Sequence, residues 1–312
     1  MKTIKLALAV SLALYSAYSQ AEEFRIDRLF VLGDSLSDGG TYTGTATQGL
    51  IGAGVPAGAI PDRLKFTTNS PTAQVWANIV AGKLGIPLDV DVINGVSTTI
   101  NGGNYAQGGS RVSNPIGVAN NPAIGITTIP VTQQVDRLLA DAPTFTRNDL
   151  VALWAGSNDG FIQFATVAAG AITPSTALAE MSIAATELLT QIDRLKAAGA
   201  QNIVVVTVPN LGATPQAQII EDGSVSGTPA PGSIALLNAL SASFNNTLAS
   251  AAASKGAVIV DSNKLLSAVI ANPAVTPTPA PAATPKAEAP AKKKAAKKTA
   301  KKSKKSKKKA KA

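Results

Sequence analysis

Four short apolar runs rich in β-branched residues recur along the chain, at residues 28–32, 150–155, 203–208 and 257–260. Runs that are apolar at nearly every position, rather than at alternate ones, suit parallel strands covered on both faces. Between them the apolar spacing lengthens to three and four, which predicts helices over residues 72–84, 131–139, 176–198 and 234–254. In the third of these, Leu178, Met181, Ala185, Leu188, Leu189, Ile192 and Leu195 share one face, and Gly199 supplies a stop. Strand alternating with helix predicts a doubly wound α/β sheet. Residues 41–70 and 94–130 are rich in Gly, Asn, Thr and Pro and have little period. They are expected to be long loops over one edge of the sheet, and loops of that length in a compact domain usually carry function.

Composition adds two appendages to one domain over residues 22–272. Lys2 and Lys5 precede an apolar run at residues 6–14, and Ser19 and Ala21 fit a cleavage site, so residues 1–21 are expected to be a secretory signal peptide. The apolar run is far shorter than the roughly 20 residues a membrane span requires. Residues 273–285 form a proline and alanine tract, expected to be a stiff linker. Residues 286–312 then hold fourteen lysines against one acid, Glu288, a charge of +13. The rest of the chain has fourteen basic and eighteen acidic residues, about −4, so the overall +9 describes the tail. A like-charge block with no aromatic or bulky apolar residue is expected to stay solvated and disordered, and to bind polyanions by counterion release. The signal peptide points to an exported protein, periplasmic, secreted or on the outer cell surface, so an anionic surface is the expected partner and specific nucleic acid is not.

The chain has no cysteine and no histidine. Thiolate chemistry is excluded, and neither a metal site nor any other cofactor is expected.

The polar signals that remain fall just after two of the predicted strands. Ser35 follows the first in Gly33-Asp34-Ser35-Leu36, and Gly156-Ser157-Asn158-Asp159 follows the second. In an open parallel sheet both sit at carboxyl ends, where ligands bind. Asn104-Tyr105-Ala106-Gln107-Gly108-Gly109 supplies a flexible backbone between them. A serine attacking a carbonyl generates an oxyanion, to which the Ser35 amide, a glycine amide and the Asn158 side chain can each donate. Asp34 and Asp159 adjoin these groups and are expected to support the site, while Asp38 is expected to cap a helix beside the serine. Trp76 and Trp154 are expected to fill core or pocket walls.

These three segments, in this order, resemble the first three sequence blocks of the GDSL, or SGNH, serine esterases and lipases, in particular bacterial exported members. The resemblance covers residues 24–272. It implies a three-layer α/β/α, flavodoxin-like sandwich with a five-stranded parallel sheet, Ser35 as nucleophile, and an oxyanion hole of Ser35, Gly108 and Asn158. It implies a small ester, lipid or acylated glycan as substrate. The family's fourth block, an Asp-x-x-His, has no match, because the proline tract begins at Pro273 where that block is due. Activity is therefore expected to be impaired, the alternative being a pseudoenzyme that binds an ester or glycan, and an apolar patch is expected to be uncovered. Asp159, Asp261 and Lys264 stand as substitute bases, although an ordinary carboxylate would need a raised pKa.

Overall fold

In the computed structural model the described residues are 25–41, 75–90, 92–93, 96–97, 103–118, 120, 128–142, 144–224 and 227–271. All belong to the first of two units, Met1–Ala271; the second, Asn272–Ala312, lies outside them, as do the expected signal peptide, linker and tail.

The four apolar runs become strands β1 (Arg28–Gly33), β6 (Asp149–Trp154), β7 (Asn202–Val206) and β8 (Ala257–Val260). Two short strands join them, β2 (Asp89–Val90) and β5 (Gly103–Asn104), giving one parallel sheet in the order β2-β5-β1-β6-β7-β8. The sheet thus has six strands rather than five, because Asp89 pairs with Gly103 and adds a strand outside β5. A separate antiparallel pair, β3 (Val92–Ile93) with β4 (Val96–Ser97), precedes β5. The helices are α1 (Trp76–Leu84), α2 (Val131–Asp141), α3 (Ser157–Ala168), α4 (Pro174–Ala197), α5 (Pro215–Asp222), α6 (Ser233–Ala251) and α7 (Ser262–Ala271).

Because side chains alternate along a strand, each strand feeds two cores. Phe30, Leu32, Val151, Leu153, Ile203 and Val205 point to one face, where α2, α4 and α6 cover them with Val135, Leu138, Leu188, Ile192, Leu240 and Phe244. Leu29, Val31 and Ala152 point to the other, where α1 supplies Ala77 and Ala81. The apolar stripe read from the sequence for α4 is fully buried at Met181, Ala185, Leu188, Ile192 and Leu195. Each large side chain so buried contributes about 1.5–3 kcal/mol. Thr173 caps α4, its hydroxyl accepting from the Thr176 N–H at 3.2 Å, with Pro174 in the first turn. Gly199, at φ +98°, follows the helix end as expected.

The second face is covered unevenly. Register places Val31, Ala152, Val204 and Val258 in one row across it, and Trp154, Val206 and Val260 in the next. Val31 and Ala152 are buried, Val204 is half-buried and Val258 is exposed.

Candidate active site

Three adjacent strands end together at the carboxyl edge. Val31 is in register with Asn104, and Gly33 with Trp154, so β1 sits between β5 and β6. The three candidate segments follow these strands, which gathers Ser35, Gly108 and Asn158 at one end of the sheet.

The turn carrying Ser35 is built around Asp34. The Asp34 N–H continues the ladder to the Trp154 carbonyl at 3.3 Å, and the Asp34 carbonyl accepts from the Ser37 and Asp38 amides at 3.0 Å each. Its Oδ1 accepts the Leu36 N–H at 3.0 Å. Ser35 is half-buried, and neither its N–H nor its hydroxyl is hydrogen-bonded among the described residues. Asp34 is buried, and its Oδ2 has no partner among the described residues. Burial pushes its carboxyl up to about 7; the Leu36 N–H opposes the rise, and the Asp159 and Asp38 carboxylates add to it.

Asp38 does not cap a helix, since none starts beside it among the described residues. Its Oδ1 instead accepts from Gly40 and Thr41 amides at 2.8 Å, and its Oδ2 accepts the Gly108 N–H at 2.7 Å. The Gly108 hydrogen is therefore already engaged by a carboxylate. Gly109 is the third residue of the turn closed by Ser110 N–H donating to the Gln107 carbonyl at 3.1 Å, and its φ of +82° is what that position requires. The Gly109 N–H has no partner among the described residues.

The first turn of α3 holds the same loop from the other side. Asn158 Nδ2 donates to the Ser110 carbonyl at 2.8 Å, which uses one of its two amide hydrogens. Asp159 accepts from Arg111 Nε at 2.9 Å and from the Val112 N–H at 3.0 Å. Burial raises the Asp159 carboxyl despite the guanidinium and amide donors. Both oxygens of Asp159 are thus engaged. Asp261 follows β8, three strands from β1 and so about 14 Å away. It accepts from Asn263 and Lys264 amides, and Lys264 Nζ lies 3.7 Å from it. Neither Asp261 nor Lys264 is brought to the strand that carries Ser35.

One supporting residue, Gln134, carries no motif in the sequence, whereas Asn104 and Trp76 are named there without the contacts they make. Gln134 is buried on α2 and grips Gly33. Asn104 Nδ2 donates to the Ser37 carbonyl at 2.6 Å, and Trp76 Nε1 donates to Ser37 Oγ at 3.1 Å. Trp76 and Trp154 face each other with ring centroids 6.2 Å apart, as walls beside the serine turn. Gln134 left one readable signal: it is polar on the stripe shared by Val131, Val135 and Leu138.

The model of the family described as GDSL-like Lipase/Acylhydrolase matches residues 29–264. The chain is also 27% identical over 201 residues to Lipase 1 of Photorhabdus luminescens, a match covering 64% of this chain and 25% of that protein. It therefore spans about a quarter of the length of that curated relative. With the family match running from β1 into α7 and the parallel α/β sheet that such a match implies, the chain belongs to the GDSL-like lipase/acylhydrolase family, whose general activity is ester hydrolysis.

Proposed function

We propose that this protein is an exported ester hydrolase in which Ser35 accepts the acyl group of a small ester, lipid or acylated glycan. The observation that carries the reading is the placement of Ser35, the Gly108–Gly109 turn and Asn158 beyond three neighbouring strands. In the attack step the Ser35 oxygen bonds to the ester carbonyl carbon, the carbonyl π pair moves onto oxygen, and the hydroxyl proton passes to a base. The Ser35 amide and the second Asn158 amide hydrogen stabilise the oxyanion. A glycine donor is available either as the Gly109 amide or as the Gly108 amide once it leaves Asp38.

No histidine occurs among the 312 residues, so the proton acceptor that usually activates such a serine is missing from this chain. Loss of the imidazole from a serine triad lowers kcat by about 10⁶-fold. Slow turnover is therefore the expectation, and the same observation favours a second reading, a pseudoenzyme that binds an ester or glycan while the lysine tail adheres to a polyanion.

Hydrolysis of p-nitrophenyl butyrate by the full chain, beside Ser35→Ala, separates the two. Turnover that vanishes in Ser35→Ala supports acyl transfer, and its pH profile reports the base in use. Turnover equal to that of Ser35→Ala, in protein with intact near-ultraviolet dichroism, rejects acyl transfer and leaves binding.

A further inference from the structure

A cavity of about 350 Å³ opens where the end of α3 meets the start of α6. Its wall is made mainly by Phe164 and Val167 of α3, Ile220 of α5, and Pro231 and Leu236. The volume lies within the range of small-molecule sites, about 300–1,000 Å³. Helices α4 and α6 lead into the amino ends of β7 and β8, so their first turns lie toward the carboxyl edge, the end of the sheet that carries Ser35. At 19 residues α6 is about 28 Å long, against about 13 Å for β8, so Ser233 stands beyond that edge.

The polar groups in the wall are already engaged. The Ser233 hydroxyl donates to the Ala230 carbonyl at 2.6 Å, and the Ala230 N–H donates to the Ile220 and Glu221 carbonyls at 3.3 and 3.2 Å. The amino end of α6, a place suited to an anion, is occupied by Glu221, whose carboxylate accepts the Gly232 and Ile234 amides at 2.9 and 2.8 Å. Among the described residues the wall thus offers no free donor to the polar end of a ligand, and an aliphatic chain is the chemistry that fits it.

Helix α3 joins this cavity to the candidate site. Asn158, Phe161, Phe164 and Ala168 follow one another at steps of three and four along one side of the helix, from an oxyanion donor in its first turn to the cavity wall at its end. Phe161 and Phe164 are half-buried along that side. Phe164 and Ala168 lie about 9 and 15 Å from Asn158 along the axis. An extended chain advances about 1.2 Å per bond, so about eight to twelve bonds cover the distance.

We propose that the cavity holds the far end of the substrate's acyl chain, so that α3 measures chain length and the site favours esters of medium-chain acids over short ones. This inference rests on the reading of Ser35 as the acyl acceptor, and its test separates the two.

N-Methyldecanamide and N-methylbutanamide keep the acyl carbonyl and resist slow hydrolysis; each is titrated into the full chain and followed by NMR. Burying one methylene is worth about threefold to fourfold in affinity, so the decanamide is expected to bind at least about tenfold tighter. It is expected to shift the Val167, Ile220 and Leu236 methyls together with the Ser35 and Gly109 amides, whereas the butanamide shifts the two amides alone. Leu236→Trp, which fills the cavity, is expected to abolish the preference. Ala168→Phe, at an exposed position of the wall, repeats the measurement should the tryptophan variant lose its thermal transition. A decanamide that does not bind, equal affinity for the two amides, or a preference that survives both variants overturns the proposal and leaves acyl transfer to Ser35 standing. Methyl shifts without amide shifts overturn it as well, by making the cavity a separate site. Turnover of p-nitrophenyl butyrate that is unchanged in Ser35→Ala, with both sets of decanamide shifts present, supports the cavity and rejects only the reading of Ser35.

Discussion

Gln134 holds Gly33 by both of its backbone groups: the side-chain carbonyl accepts the Gly33 N–H at 2.8 Å, and the side-chain amide donates to the Gly33 carbonyl at 2.9 Å. The contact fixes the end of β1 two residues before Ser35. Gln134→Leu leaves the Gly33 amide buried without an acceptor, so urea unfolding is expected to show a loss of about 1–3 kcal/mol. Gln134→Glu removes the donor and buries a carboxylate, and its loss is expected to be larger at pH 8 than at pH 5.

Arg111 is the cationic partner of a deeply buried acid. Its side chain and that of Asp159 are 12% and 3% exposed, with Nε 2.9 Å from the carboxylate. Arg111→Ala strands that charge, for a loss of about 3–5 kcal/mol measured by denaturant melts. The Asp159 carboxyl is then expected to rise further, which carbon-detected titration of the aspartate carboxyls reads directly.

Asp34 sets a pH dependence with a definite sign. Its folded carboxyl titrates near 7, whereas in the unfolded chain it titrates near 4. Between those values the native state holds more protons, so stability falls as pH rises from 4 to 7, by about 4 kcal/mol at most, and the deficit persists above 7. Asp34→Asn keeps an acceptor for the Leu36 N–H and cannot ionise. Its melting temperature is expected to lose most of this slope; a profile still parallel to the parent's would show that another group carries it.

Gly156 stands where β6 turns into α3, at φ +112°, and a methyl group placed there would lie 2.7 Å from the Phe244 ring. Both the backbone and the core resist a side chain at this position. Gly156→Ala is expected to destabilise by about 2–4 kcal/mol in thermal or urea unfolding.

The sequence exposed those elements whose pattern is their own. The run at residues 257–260 is β8 as predicted, and α4 and α6 lie within a few residues of the expected spans. Helix α3 was hidden because its first four residues, Ser-Asn-Asp-Gly, are poor helix formers, and tertiary contacts of Phe161, Phe164 and Val167 hold it. Strand β5 falls in a stretch with the composition of a loop, because Gly103 and Asn104 have little strand preference; pairing with β1 makes them a strand. The same limit governs the site. Ser35, Asn158 and the glycine pair could be placed from local motifs, whereas the engagement of Gly108 by Asp38 and of Asp159 by Arg111 depends on three-dimensional approach.

Those long-range ties bear on how the protein is made. Gly33 and Gln134 are 101 residues apart, Asp38 and Gly108 are 70 apart, and Arg111 and Asp159 are 48 apart. On the ribosome the serine turn leaves the exit tunnel first, yet Asp38 lacks its loop partner and Asp34 its enclosing walls until much later. A nascent chain halted before residue 159 would leave in water the Asp34 and Asp38 side chains that the finished fold buries. The sheet edge that carries Ser35 is thus a late product of synthesis, closed only once β6 and the first turn of α3 have been made.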